Sequence, residues 1–316
     1  MERDFVDWLR ATLAPHEALA VGAGDDAAVL RATGAAQTVV TSDLLADGTH
    51  FVAEEIEPKL IGRKCLAANL SDLAAMAAKP LAVTVCLLIP RGGAGPHSSV
   101  ELARGVMRGV TGLAEAFGVA IAGGDTNVWD GRLAVSITAL GVVGPRGPLL
   151  RSGAKPGDTL LVTGELGGSI EGHHLAFTPR VREALLLHDR YTLHAGMDIT
   201  DGLAIDLHRL AAASGVGAVI RAADVPASPS AERLALAAGG EALDHALGDG
   251  EDFELLLAVP PEVADSILRD QPLECGVTAI GHITDGPAEG GVWLESAGGA
   301  RTALPPGGYE HGYSGS

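Results

Sequence analysis

The chain has 316 residues, 47% of them apolar and 20% charged, which excludes a disordered tract and leaves material for two packed cores. Forty acidic against 22 basic residues give a formal charge of −18, which argues against nucleic acid or an anionic membrane as partner. Cys65, Cys86 and Cys275 form no CxxC pair, so neither a zinc cluster nor a disulfide framework is spelled out, and reduced thiols are expected.

Phe5, Val6, Trp8, Leu9 and Leu13 fall at helical spacing and predict an amphipathic helix over 2–13. That segment lacks a basic stretch followed by an apolar one, and the apolar run Leu81 to Ile89 is too short to span a bilayer. The expectation is a cytoplasmic protein with no membrane partner. Gly22-Ala-Gly-Asp-Asp-Ala-Ala-Val-Leu30 presents two adjacent carboxylates directly before an apolar run. Adjacent aspartates repel, so such a turn either caps an element or holds a cation. Thr38 to Thr41 is a short β-branched strand ending at Ser42-Asp43, and 44–51 reads as a loop carrying Asp47-Gly48-Thr49-His50. Pro58 suits the first turn of a helix whose apolar face includes Leu60, Ile61, Cys65, Leu66, Leu70 and Leu73. Asp72 sits inside that helix among Leu70, Leu73, Ala74, Ala75 and Met76, which leave little wet face, so a ligand role is favoured.

Leu81 to Ile89 predicts a buried strand, and a helix follows from about 97 to 117. The next strand, 119–122, ends on Gly123-Gly124-Asp125-Thr126, where backbone can approach a phosphate while a carboxylate faces the same ligand. Leu133 to Val143 is another strand, and Gly144-Pro-Arg-Gly-Pro148 is the strongest punctuation in the chain. It predicts two domains, 1–146 and 147–316. In the second half, strand Thr159 to Thr163 runs into Gly164-Glu-Leu-Gly-Gly-Ser169, a turn expected to pack helix on strand rather than bind an anion. Asp198-Ile-Thr-Asp201-Gly202 precedes a helix over 203–213; Asp201 suits its N-cap, whereas Asp198 has no such role. Strands are expected near 217–220, 253–258 and 277–280, with helices between them.

No Walker A loop is present, because Gly153-Ala-Lys155-Pro lacks the Gly-Lys-Ser/Thr ending, and GxGxxG, GxSxG and HExxH are absent. What remains is carboxylates with Ser and Thr hydroxyls, donors that suit Mg²⁺ or Mn²⁺ rather than zinc or copper. Only four of the 22 basic residues are lysines, so a polyphosphate ligand would need bound metal for much of its neutralisation. The residues alone reach a magnesium-dependent enzyme, or a sensor, of a phosphorylated ligand. Reaction class stays open at this point.

The segments GAGDDAAVL, TSDLLADGTHF, NLSDLAAMAAKP, GGDT, RSGAKPGD, MDITDGL and GEDFELLL, from residue 22 to about 257, resemble the thiamine-monophosphate kinase family in content and order. That family shares a superfamily with aminoimidazole-ribonucleotide synthetase and selenophosphate synthetase, and the terminal GGYEH resembles its closing segment. The resemblance implies an α/β fold of α+β type with two domains of mixed sheets and packed helices. The first domain would carry nucleotide, Mg²⁺ and homodimer contacts, and the second would close the cleft. The implied reaction is direct in-line transfer from ATP to thiamine monophosphate, giving thiamine diphosphate, the last step of its biosynthesis. Carried over by motif, Asp26, Thr41, Ser42, Asp43, Asp72, Asp125, Asp198 and Asp201 would hold several Mg²⁺ ions. Gly124, Asp125, Arg151 and Thr200 would face ATP, while His50 and Glu251 would face the thiamine moiety. Pro306 stands where the family has an aromatic that stacks on the thiamine ring, with Tyr309 or Tyr313 as candidate replacements, and Asp249 stands where the family has glycine. The rival readings are a ligase of the aminoimidazole-ribonucleotide-synthetase type and a non-catalytic regulator that binds Mg-nucleotide.

Overall fold

Two mixed sheets follow one another along the chain, and one helix is buried between them. The computed structural model describes residues 19–21, 25–31, 37–286 and 291–310. The helix expected over 2–13, the glycines of the first acidic turn and Tyr313 lie outside these residues.

The first half comprises β1 (Leu19–Val21), β2 (Ala28–Leu30), β3 (Thr38–Ala46), α1 (Pro58–Ala75), β4 (Ala78–Pro90), α2 (Ser99–Phe117), β5 (Ala120–Trp129) and β6 (Ala134–Val143). Its sheet has the order β1-β2-β3-β6-β4-β5, antiparallel except for the β4/β5 pair. The second half comprises β7 (Thr159–Thr163), α3 (His173–Ala176), α4 (Val181–Arg190), β8 (Ala195–Ile199), α5 (Leu203–Ser214), β9 (Gly217–Arg221), α6 (Pro229–Ala238), α7 (Ala242–Gly248), β10 (Glu254–Val259), α8 (Pro261–Asp270), β11 (Val277–Thr284), β12 (Val292–Glu295) and β13 (Arg301–Ala303). Its sheet has the order β13-β12-β9-β11-β7-β10-β8, antiparallel except for β12/β9.

Side-chain alternation explains how each sheet is covered. In β4, Val83, Val85, Leu87 and Ile89 are buried beneath the helices, whereas Cys86 and Leu88 are exposed. The first sheet therefore has one packed face and one open face. β10 is buried at every position, with Leu256 and Ala258 in a core shared with α5. Leu255, Leu257 and Val259 join the core that contains α1. That second core is why α1 is apolar nearly all round: Leu66, Leu70 and Leu73 are completely buried, each worth about 2 kcal/mol in removed apolar surface.

Three boundaries differ from the sequence expectation. β3 continues through Leu44–Ala46, because Asp43, Leu44, Leu45 and Ala46 keep their pairing with β6. Likewise β5 does not stop at Gly123-Gly124-Asp125-Thr126 but runs through it, paired with β4. Gly124 is needed there for close approach: at φ 153° an added Cβ would sit 1.8 Å from the Val85 carbonyl oxygen. Asp201 is not the N-cap of α5; Asp206, inside the helix, accepts from the Thr200 and Asp201 N–H groups at 2.9 and 3.0 Å, and the N-cap is Gly202.

α1 and α2 touch backbone to backbone, since a Cβ on Gly62 would lie 1.8 Å from the Val106 carbonyl oxygen. Gly62→Ala forces the pair apart, and overpacking of this kind costs about 1–3 kcal/mol. A urea titration of the variant should show a lowered midpoint with an unchanged slope; an unchanged midpoint would mean that the helices separate freely.

Candidate functional site

The sequence spreads its aspartates over four elements, and the fold draws three of them together. Asp26 precedes β2, Asp72 lies on the last turn of α1, and Asp198 lies in β8, with carboxylate oxygens all within 4.8 Å of one another. At an effective dielectric near 20, each such pair repels by roughly 3 kcal/mol. Hydroxyls and one guanidinium offset part of this. Ser71 donates to Asp198 at 2.5 Å and Thr41 donates to Asp72. Arg151 takes Asp26 in a bidentate pair at 2.5 and 2.9 Å, and its N–H donates to Asp25.

The remaining charge is visible in the carboxyl pKa values. Burial, then the charges of Asp43, Asp198 and Asp26, push Asp72 well above the usual carboxylate range. Burial and then Asp26 do the same to Asp198, and burial brings Asp43 to about 6. Burial is the largest influence on Arg151 and opposes its charge. The charge and hydrogen bond of Asp26, with the charges of Asp198 and Asp25, together outweigh it and raise that pKa. A donor set of carboxylates and hydroxyls with this surplus of charge fits Mg²⁺, so the residues present suit the metal implied by the motifs.

A cavity of about 360 Å³ opens beside this cluster, sharing Asp72 with it. Asp43, Thr49 and His50 line one side; Thr200, Asp201, Asp249 and Glu251 line another; Phe253 and Tyr309 supply ring surface. The Tyr309 N–H donates to the Asp201 carbonyl at 2.9 Å, which ties the tail over the cavity. Of the two tail candidates among the described residues, Tyr309 lines the cavity and Pro306 is absent from its walls. Backbone geometry explains this, because Gly308 lets the chain pass against Ile205 and turn Tyr309 inward.

Lys64, missed in the sequence reading, holds the cavity together. It is completely buried in α1 and donates to both Glu251 oxygens at 2.6 and 2.8 Å and to the His50 carbonyl at 2.7 Å. Its local sequence carries no mark of this role, which depends on Glu251 from the second half meeting α1. Asp249 and Asp252 explain the glycine-rich turn, accepting from the Gly168 and Gly167 N–H groups at 2.8 and 2.7 Å. That turn binds the chain's own carboxylates.

Ser42, Asp125 and Asp201, all predicted as ligands, lie outside the three-carboxylate cluster. β3 alternation puts Thr41 and Asp43 toward α1 and Ser42 on the opposite, open face, where it bonds Thr138 Oγ1 at 3.0 Å. Asp125 lies on that same face of the exposed strand β5, opposite Cys86, and accepts from the Thr126 N–H and Asn127 Nδ2. Gly124 is beside it. Asp201 is held by Arg209 at 2.5 Å at the cavity edge.

The family models "AIR synthase related protein, N-terminal domain" and "AIR synthase related protein, C-terminal domain" match residues 24–143 and 155–294. The thiamine-monophosphate kinase of Rhodopirellula baltica is 39% identical over 99% of this chain and 98% of its own length. That of Mycobacterium tuberculosis is 34% identical over 88% of this chain and 84% of its own. Among solved structures, AaThiL complexed with AMPPCP and TMP superposes with a TM-score of 0.82 at 26% identity, covering 98% of this chain and 96% of that one. The thiamine-monophosphate kinase of Stenotrophomonas maltophilia gives 0.71 at 33%, covering 92% and 94%.

Removing either partner of the Lys64–Glu251 pair should be unequal in effect. Glu251→Gln strands a wholly buried ammonium and should cost about 3 kcal/mol or more. Lys64→Met leaves a carboxylate that is one-third exposed and should cost about 1–2 kcal/mol. Denaturant midpoints of the two variants and of the double variant check this, the double being more stable than Glu251→Gln alone.

Proposed function

The chain belongs to the thiamine-monophosphate kinase family of AIR synthase related proteins, and from that premise we propose that it transfers the γ-phosphoryl group of ATP to thiamine monophosphate, yielding thiamine diphosphate and ADP. The observation that carries this is the buried carboxylate cluster sharing Asp72 with a cavity of ligand size.

The acceptor is a phosphate monoester with a second pKa of about 6, so it reaches the site largely dianionic at pH 7 and needs no general base. The difficulty is bringing one anion onto another. Asp26, Asp43, Asp72 and Asp198 would hold Mg²⁺, with the Thr41 hydroxyl beside them, and bound Mg²⁺ supplies charge neutralisation for both phosphates. The chain itself orients. Arg151 is fixed by Asp26 and faces the same cluster, which supports a role on the nucleotide phosphates together with Thr200. His50, Glu251 and Tyr309 bound the cavity that would take the thiamine moiety, and Lys64 keeps the first two in register.

The open face of the first sheet supports a homodimer as the working form. Leu44 and Leu88 are exposed there, in cross-strand rows with Ser136 and Ala134, and all of β5 is exposed as an unpaired edge. A second copy on this face would enclose Ser42, Gly124 and Asp125, giving them the ligand roles expected from their motifs. The two sheets, on either side of 144–158, support domains at 1–146 and 147–316. No helix among the described residues is long and apolar enough to cross a membrane, and the three cysteines are free, which supports a cytoplasmic setting.

Asp72→Asn retains size and the Thr41 hydrogen bond but removes a ligand charge. Production of ADP and thiamine diphosphate, followed by chromatography, should fall by roughly 10²-fold or more. In EDTA the variant should melt above the wild type, because a repelling charge is gone, and Mg²⁺ should raise its midpoint less than the wild type's. Near-normal turnover would remove Asp72 from the site. For the dimer, Leu88→Asp should give a monomer in analytical ultracentrifugation with reduced turnover; an intact dimer would place the interface elsewhere.

A further inference from the structure

A second cavity, of about 950 Å³, lies where α1 and α2 meet the segment entering α4, and it shares no wall with the pocket beside the carboxylate cluster. Its volume is that of a small-ligand site. Leu60, Leu113, Phe117 and Pro179 give it apolar walls, and Lys59, Arg63, Arg180 and Arg182 bring four cations to it against two carboxylates, Glu183 and Glu274. In a chain of charge −18 that local balance is reversed.

The four cations are not equivalent. Arg180 is committed to buried Glu254 and to Glu183, and Arg182 lies over the Phe117 ring at 5.9 Å. Arg63 is half-buried on α1, with a hydrogen bond of 3.5 Å to the Leu175 carbonyl as its recorded contact and no carboxylate paired with it among the described residues. Burial lowers its pKa, with no anion acting the other way. A partly desolvated guanidinium without an anion is an unfavourable arrangement that an incoming anion relieves.

Gly112 on α2 supplies an independent observation. Glycine inside a helix costs about 1 kcal/mol relative to alanine. Gly62 and Gly109 are explained by close helix packing, since their Cβ atoms would fall within 2.0 Å of backbone. At Gly112 an added Cβ meets nothing within 4 Å; the missing side chain instead leaves the cavity open.

We propose that this cavity is a second ligand site, for a small amphiphilic anion whose apolar or aromatic body sits against Phe117, Leu113 and Pro179 and whose single phosphate, carboxylate or sulfonate group meets Arg63. Such a ligand bridges the two halves of the chain. It also touches α1, the helix that bears Lys64 and Asp72.

The probe is 8-anilinonaphthalene-1-sulfonate, an aromatic body with one anionic group, titrated into the full chain by fluorescence. The expected result is one saturable site that Arg63→Gln weakens by roughly tenfold or more and Gly112→Leu abolishes. Both variants should keep wild-type turnover without probe and melt near the wild type, Gly112→Leu replacing a helix glycine by a strong helix former. Tyr309→Ala, in the other cavity, should leave the affinity unchanged. Non-saturable binding, unchanged affinity in Arg63→Gln and Gly112→Leu, or loss of binding in Tyr309→Ala would each overturn the assignment.

Discussion

Three carboxylates packed within 4.8 Å of one another carry more negative charge than the chain around them neutralises. Arg151 is the one guanidinium paired with the cluster among the described residues, and it is spoken for by Asp26. The hydroxyls of Thr41 and Ser71 contribute dipoles, not charge. Such an arrangement has the charge and oxygen donors that a divalent cation would complement, as the proposed reaction requires. Burial first, and then this crowding of charge, raises the pKa values of Asp72 and Asp198.

α1 is the element through which this constraint reaches the rest of the molecule. Its apolar side chains are shared between the first sheet and the core beneath β10, so the two halves cannot move apart without exposing Leu66, Leu70 or Leu73. The polar residues threaded along it meet partners from the other half: Lys64 with Glu251, and Ser71 with Asp198. Buried charge on a helix is costly unless paired, which makes the register between the halves specific as well as stable.

The loop from Gly250 to Phe253 shows what this register demands. Glu251 and Phe253 both adopt positive φ, at 54° and 53°, a conformation that side chains resist. Stacking of Phe253 on Phe177 at 3.9 Å, the Lys64 contact and the anchoring of Asp249 and Asp252 on the Gly167–Gly168 turn over-determine it. The backbone is thereby fixed where Glu251 and Asp249 face the cavity.

Much of this was legible in the chain. Strand β7 and the bodies of α1, α2 and α5 follow from periodicity and punctuation, and the oxygen-rich motifs point to the divalent cation that the proposed function invokes. Asp72 stood out because its neighbours left it no solvent. What the sequence could not rank was which aspartates converge. Ser42 and Asp43 are adjacent in the chain yet point to opposite faces of β3, and Asp125 belongs to a strand whose glycines looked like an ending. Lys64 gave no local signal, and Tyr309 only its place in the closing segment, because their roles exist only where residues far apart in the chain close over them. Local spacing therefore determined element type and which oxygen donors the chain could offer. Strand register, helix burial between two cores and non-local charge pairing, which depend on contacts that no short window contains, decided the site.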